Sequence, residues 1–261
     1  MTVPRCVTIA TSDSGGGAGV QADLKAFAAA GCYGASVIVA LTAQNTRAVV
    51  ATHVVPDEFV TRQLDAVFSD IGADAVKTGA LVSERIVDVV ADFLGALGDR
   101  LPPLVVDPVM RASTGTQLLT DDAASLMVQR LFPLATVVTP NLHEAEALAG
   151  ASGSRRELAE RLVARGARAV LITGGHGEPI DHLFDGRRHT AITVRRVESR
   201  TTHGSGCTHS ATLAAQLARG VPLVDAARAA AETTASAVAH GLTGIGGGEG
   251  PVDVLDLRAR R

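Results

Sequence analysis

The chain has 261 residues, 46% of them hydrophobic, with 27 glycines and a formal net charge of -3. That length can bury a full core and suits one large α/β domain or two small ones. The composition excludes a disordered or low-complexity chain, and arginines spread without a basic stripe speak against a nucleic-acid partner.

In chain order, "CVTIAT" (6–11) predicts a strand, followed by glycine-rich punctuation and a helix from about Ala18 to Ala30 that stops at Gly31. "ASVIVAL" (35–41) predicts a second strand. "PDEFVTRQLDAVFSDIG" (56–72) opens on proline and acids and closes on Gly72, the polarity of a helix. "DAVKTG" (74–79), "PLVVDP" (103–108), "ATVVTP" (135–140) and "ARAVLITGG" (167–175) predict further strands, with helices between them. "SRRE" (154–157) is a capping box for the helix ending near Gly166. The stretch 181–196 breaks this rhythm as a hairpin turning at Asp185–Gly186, and two helices near 206–219 and 222–240 complete the chain.

Buried, near-continuous Val/Ile/Leu strands separated by helices imply an α/β fold with a mostly parallel sheet covered on both faces. With no linker and no repeat, residues 1–261 are expected to form a single domain. The opening "MTVPRCVTIA" lacks a signal peptide's apolar segment, and no apolar run reaches the ~18 residues of a membrane helix. Three scattered cysteines, Cys6, Cys32 and Cys207, suit neither a disulfide scaffold nor a zinc site. A cytoplasmic protein with reduced thiols is therefore expected.

The distinctive residues gather where ligands sit in such sheets, beyond the C-terminal strand ends. In "HGSGC" (203–207), Gly204 and Gly206 flank Ser205 before a helix, so that several N–H groups can meet one anion. The plain alternative is a flexible loop with Ser205 as the cap. Cys207 in the first turn predicts a thiol of lowered pKa, or otherwise a small buried hydrophobe. In "TSDSGGGAGVQADLK" (11–25), Asp13 is read as a helix cap or as part of a close backbone approach to a ligand, and Asp23 as a ligand contact or a solvated face residue. Gln44 ends a strand with an amide that suits the edge of an aminopyrimidine, or it is a polar loop residue. Asp107 at a strand end can hold Mg²⁺ directly or through water. Asn141 and Glu144 form a capping box, and Glu144 can also serve hydrated Mg²⁺ and phosphates.

Together and in order, "TIATSDSGGGAGVQADLKAFAAAGCYG" (8–34), "TAQNT" (42–46), "VKTGAL" (76–81), "VVDPVM" (105–110), "VTPNLHEAEAL" (138–148), "GGH" (174–176) and "THGSGCTHSA" (202–211) resemble the hydroxymethylpyrimidine/phosphomethylpyrimidine kinases, members of the ribokinase-like superfamily. The resemblance implies a three-layer α/β/α fold and ATP- and Mg²⁺-dependent phosphorylation of 4-amino-5-hydroxymethyl-2-methylpyrimidine, then of its monophosphate, in thiamine biosynthesis. It implies Gly204 to Cys207 as the anion hole, Cys207 as the base, and Gln44, Ala18, Ala80 and Val109 in the pyrimidine pocket. It further implies Asp107 and Glu144 near Mg²⁺ and ATP, Asn141 near the phosphates, Thr173 and Gly175 on the nucleotide side, and a homodimer. Three departures stand out: Thr173 where many members carry lysine, Ser205 for threonine, and Ala80 where some have methionine. A pyridoxine/pyridoxal kinase, a non-catalytic ligand-binding protein on the same fold, and a thiol hydrolase using Cys207 with His203 or His209 are the alternatives.

Overall fold

The computed structural model describes residues 2–175 and 178–259; His176 of the "GGH" stretch lies outside them. The strands are β1 (Arg5–Asp13), β2 (Tyr33–Gln44), β3 (Val49–Val54), β4 (Ala75–Thr78), β5 (Leu104–Val106), β6 (Val137–Val138), β7 (Val170–Ile172), β8 (Ile180–Phe184) and β9 (His189–Thr193). The helices are α1 (Gly19–Ala29), α2 (Asp57–Ala66), α3 (Glu84–Ala96), α4 (Asp121–Arg130), α5 (Leu142–Ala149), α6 (Arg155–Ala164), α7 (Ser205–Ala218) and α8 (Leu223–Ala239).

All described strands form one sheet in the order β3-β2-β1-β4-β5-β6-β7-β8-β9. The pairs from β2 to β7 are parallel, and β3, β8 and β9 pair antiparallel at the two edges. Strand alternation sends side chains to two separate cores. Val7, Ile9, Val76, Val106 and Val138 pack with Val60 and Leu64 of α2, Ile86 of α3, Met127 of α4, Leu148 of α5 and Leu162 of α6. Cys6, Ala75, Val105, Val137 and Leu171 face Phe27 of α1 and the alanines of α7 and α8. This is the expected three-layer α/β/α sandwich. The chain leaves β1 toward β2 on one side and returns to β4 on the other, so the sheet's switch point, where a crevice opens, lies between β1 and β4.

The hairpin turns where expected. Gly186 has φ +83°, and Asp185 Oδ1 accepts from the N–H groups of Arg187 and Arg188 at 2.9 and 2.7 Å. The Ser154–Glu157 capping box opens α6. Two features go beyond the expectation. β3 is an added edge strand, and α2 runs on into a π-helical turn, Val67–Ile71, before Gly72.

Candidate active site

β1 ends on Asp13, whose carboxylate gathers the glycine loop beside it. It accepts from the N–H groups of Gly15 at 2.7 Å, Gly17 at 3.1 Å and Ala18 at 2.9 Å. Its Oδ2 also lies 3.0 Å from His203 Nε2, and His203 Nδ1 lies 2.8 Å from Ser113 Oγ. Burial pushes the Asp13 carboxyl up, but His203 and the loop N–H groups outweigh it and hold the carboxyl below its ordinary value. Asp13 therefore joins the two glycine-rich loops as well as ordering its own.

The loops interlock at backbone level. Gly204 has φ +81°, and a Cβ there would lie 1.8 Å from the Gly17 carbonyl oxygen. A Cβ on Gly17 would lie 2.1 Å from the His203 ring. A Cβ on Gly206 would meet nothing within 4 Å, so the backbone at the start of α7 borders open space. Open space at a helix N-terminus, with unpaired N–H groups and the positive end of the dipole, suits an anion.

Beneath the cleft lies a buried ionic cluster. Lys77 on β4 is 0% exposed, with Nζ 2.7 and 2.9 Å from the two oxygens of Asp23 on α1 and 3.7 Å from Asp107 Oδ2. Thr8 Oγ1 donates to Asp23 Oδ2 at 2.6 Å. Burial opposes the Lys77 charge, but the carboxylates of Asp23 and Asp107 raise its pKa, so it stays an ammonium. Asp23 is thus neither a solvated face residue nor part of the cleft wall. It is 0% exposed, because the α1 face that carries it packs on the sheet.

Cys207 also differs from expectation. Burial pushes its thiol up to about 12; Lys77 draws it down, Asp23 and Asp107 push it further up, and a hydrogen bond from the Gly19 N–H lowers it again. Helix position alone predicts a lowered value, but desolvation and two carboxylates outweigh the helix terminus.

Asp107 follows β5, and its Oδ2 accepts from Ser210 Oγ of α7 at 2.7 Å. Asn141 and Glu144 form the reciprocal capping box of α5. Glu144 also accepts from the Met110 N–H at 3.3 Å, which ties it to the segment after Asp107. Burial, and then the Asp107 charge, push the Glu144 carboxyl up to about 8. Two carboxyl groups that repel each other beside a cleft are an oxygen donor set that fits a hard divalent cation.

These pieces line one cleft of about 1020 Å³. Its wall includes Ala18, Gln44, Ala80 and Val109 toward β1, β2 and β4; Gly204, Ser205, Gly206, Cys207 and Asp107 in the middle; and Asn141, Glu144, Thr173 and Gly175 toward β6 and β7. Arg111, Arg195 and Arg196 line the same cleft. Lys77 and Asp181 were assigned no role by sequence reasoning, and His203 only that of a partner to Cys207 in the thiol-hydrolase alternative. For Lys77 a signal existed: it is one of two lysines in the chain and stands at the C-terminal end of a buried strand.

A helix-flanked, mostly parallel sheet with a cleft at its switch point is the architecture of the ribokinase-like class. A family model described as phosphomethylpyrimidine kinase matches residues 13–253. The chain belongs to that family. It is 48% identical over 255 residues to a hydroxymethylpyrimidine/phosphomethylpyrimidine kinase of Rhizobium meliloti (strain 1021), covering 94% of this chain and 95% of the relative. Among solved structures it resembles an ADP complex of Bacillus subtilis pyridoxal kinase (TM-score 0.89, 33% identity, 98% of this chain and 99% of that one). It also resembles a phosphomethylpyrimidine kinase from Clostridium difficile 630 (TM-score 0.76, 36% identity, 87% and 96%).

Proposed function

We propose that this protein transfers the γ-phosphoryl group of ATP to the hydroxymethyl oxygen of 4-amino-5-hydroxymethyl-2-methylpyrimidine, and then phosphorylates the monophosphate to the diphosphate, serving thiamine biosynthesis. The observation that carries this is the placement of Gln44 and the Gly204–Cys207 turn on one continuous cleft wall, with Asp107 and Glu144 beside them. Gln44 supplies the mixed donor and acceptor that an aminopyrimidine edge requires. The open turn at Gly206 offers backbone N–H groups to the transferred phosphoryl group, whose loose transition state is stabilised by positioning and charge. Mg²⁺ held through water by Asp107 and Glu144 would neutralise the nucleotide's phosphates. Asn141, Thr173 and Gly175 border the nucleotide on the far side.

Cys207 lines the same cleft and is taken to face the acceptor hydroxyl. In the free protein it is a thiol. Its role as the base requires the thiolate in the loaded cleft, favoured by Lys77 and by the Gly19 N–H. The second acceptor is already a largely ionised phosphate near neutral pH. Cys207→Ala is therefore expected to slow the first phosphorylation far more than the second; equal losses would reduce Cys207 to a shaping role.

A second reading, pyridoxal phosphorylation, is favoured by the TM-score of 0.89 to a pyridoxal kinase and by the small Ala80 in the cleft wall. Purified protein with ATP and Mg²⁺ is tested against the hydroxymethylpyrimidine, its monophosphate and pyridoxal in parallel. Turnover of the first two supports the main reading, and turnover of pyridoxal alone replaces it. The same reading takes the chain as one kinase domain working as a cytoplasmic homodimer. Among the described residues no helix is long and apolar enough to cross a membrane. A monomeric mass by light scattering at working concentration would remove the dimer.

A further inference from the structure

We propose that Ser113 is a phosphoryl acceptor: with ATP bound and no small-molecule acceptor in the cleft, the γ-phosphoryl group passes to its Oγ. This rests on the kinase reading above. Ser113 sits on a turn that follows the end of β5 and folds back on itself. The Ala112 N–H donates to the Thr116 carbonyl and the Gly115 N–H to the Ala112 carbonyl, each at 2.8 Å, and Gly115 has φ +86°. The Leu118 N–H donates to the Met110 carbonyl at 2.9 Å and closes the base of the turn. Arg111, Ala112, Ser113 and Leu118 line the cleft, and the serine is exposed.

Three hydroxyls stand on this turn, and their geometry separates them. Thr114 Oγ1 and Thr116 Oγ1 lie 3.4 Å from each other. Ser113 Oγ instead reaches the inner wall, 2.8 Å from His203 Nδ1. His203 is held from its other side. It is 4% exposed, with Nε2 3.0 Å from Oδ2 of Asp13, itself 3% exposed. A hydroxyl set on an imidazole that a buried carboxylate orients is how a serine oxygen is presented as a nucleophile. His203 also directly precedes Gly204, so the hydroxyl is tethered to the residue at the head of the turn that the proposed function gives to the transferred phosphoryl group. In the step, Ser113 Oγ bonds to the γ-phosphorus, and the bond from that phosphorus to the bridging β,γ-oxygen breaks. ADP leaves with the electron pair. The hydroxyl proton goes to the water that reaches the exposed serine. A loose transition state asks little of a base, so the step needs the hydroxyl positioned and does not depend on the charge of the ring.

The test incubates the full chain with ATP and Mg²⁺, without pyrimidine, and follows its intact mass. A single phosphoryl group per chain should appear, and peptide mapping should place it on Ser113. AMP-PCP, a nucleotide that cannot transfer its terminal group, should give none. The rate per chain should not change with protein concentration, because each chain labels its own serine. Ser113→Ala should abolish the labelling, whereas Thr114→Ala and Thr116→Ala should keep it. Saturating hydroxymethylpyrimidine should slow it, since both acceptors draw on one γ-phosphoryl group. Label on Thr114 or Thr116, label that survives Ser113→Ala, or a rate that rises with protein concentration overturns the inference. So does a wild type that phosphorylates the pyrimidine and stays unlabelled itself. A wild type that stays unlabelled and phosphorylates neither the pyrimidine nor pyridoxal removes the kinase reading, and this inference with it.

Discussion

At the scale of the residue, the two glycines around Ser205 do different work. Gly204 combines a left-handed φ with a Cβ position occupied by the Gly17 oxygen. Gly204→Ala should cost about 1–3 kcal/mol from backbone strain alone, with the steric conflict added, and should lower the melting temperature clearly. Gly206 faces open space, so Gly206→Ala should leave melting nearly unchanged while lowering kcat through a methyl group in the anion cradle. A matched loss of stability in both would contradict this division. Lys77 is the reverse case, a charge that cannot be removed alone. Lys77→Met strands Asp23, and breaking a buried pair from one side costs about 3–5 kcal/mol. Asp23→Asn added to Lys77→Met should recover part of that loss in chemical denaturation. Both glycines were legible in the sequence as turn residues before a helix. The state of the Cys207 thiol was not, because it depends on Asp23, Lys77 and Asp107, which come from α1, β4 and the end of β5.

Glu144 gives a pH prediction of definite sign. Its carboxyl lies near 8 in the fold against an ordinary 4.5. The folded state holds this proton more tightly, so the group's contribution to stability is complete below about pH 4.5 and is lost as pH rises through about 8. Melting curves of the free protein should show Glu144→Gln gaining on wild type between those limits. A difference between the two that stays constant with pH would refute the raised value.

At the scale of the element, caps and strand interiors were readable because their signals are local. The Ser154 and Asn141 capping boxes follow from residues three apart. Asn141→Ala should cost about 1 kcal/mol through the lost cap, and should also loosen Glu144, whose backbone N–H donates to Asn141 Oδ1. A variant with lower stability but unaltered ATP KM would show that the box serves α5 alone. β3 was not readable. "VVATHV" has no buried residue and no alternation of burial along it, and its strand state comes from pairing with β2. β6 also shortens, from a predicted six-residue run to two paired residues, Val137 and Val138.

At the scale of the whole molecule, the layered sandwich follows from alternating strands and helices, but the strand order does not. Nothing local to β4 says that it pairs with β1 rather than with β3. That pairing opens the crevice at the switch point, so the site could be located by strand ends but not assembled. Its assembly makes a prediction for the intact protein: AMP-PCP at about one hundred times its Kd should stabilise folding by about 2.7 kcal/mol. No shift in melting at saturation would count against a nucleotide site.

The tie between Asp13 and His203 spans 190 residues of sequence. It joins a loop made early in translation to one made near its end. A nascent chain that has built β1 through β9 but not α7 lacks the Gly204–Cys207 turn, and Asp13 lacks its ring partner. On the proposed function such a chain cannot hold a nucleotide, however complete its sheet. Ligand capture thus becomes a late event in the life of the polypeptide. Stalled or truncated products would be inert toward ATP, and appearance of nucleotide binding during synthesis would time the arrival of α7.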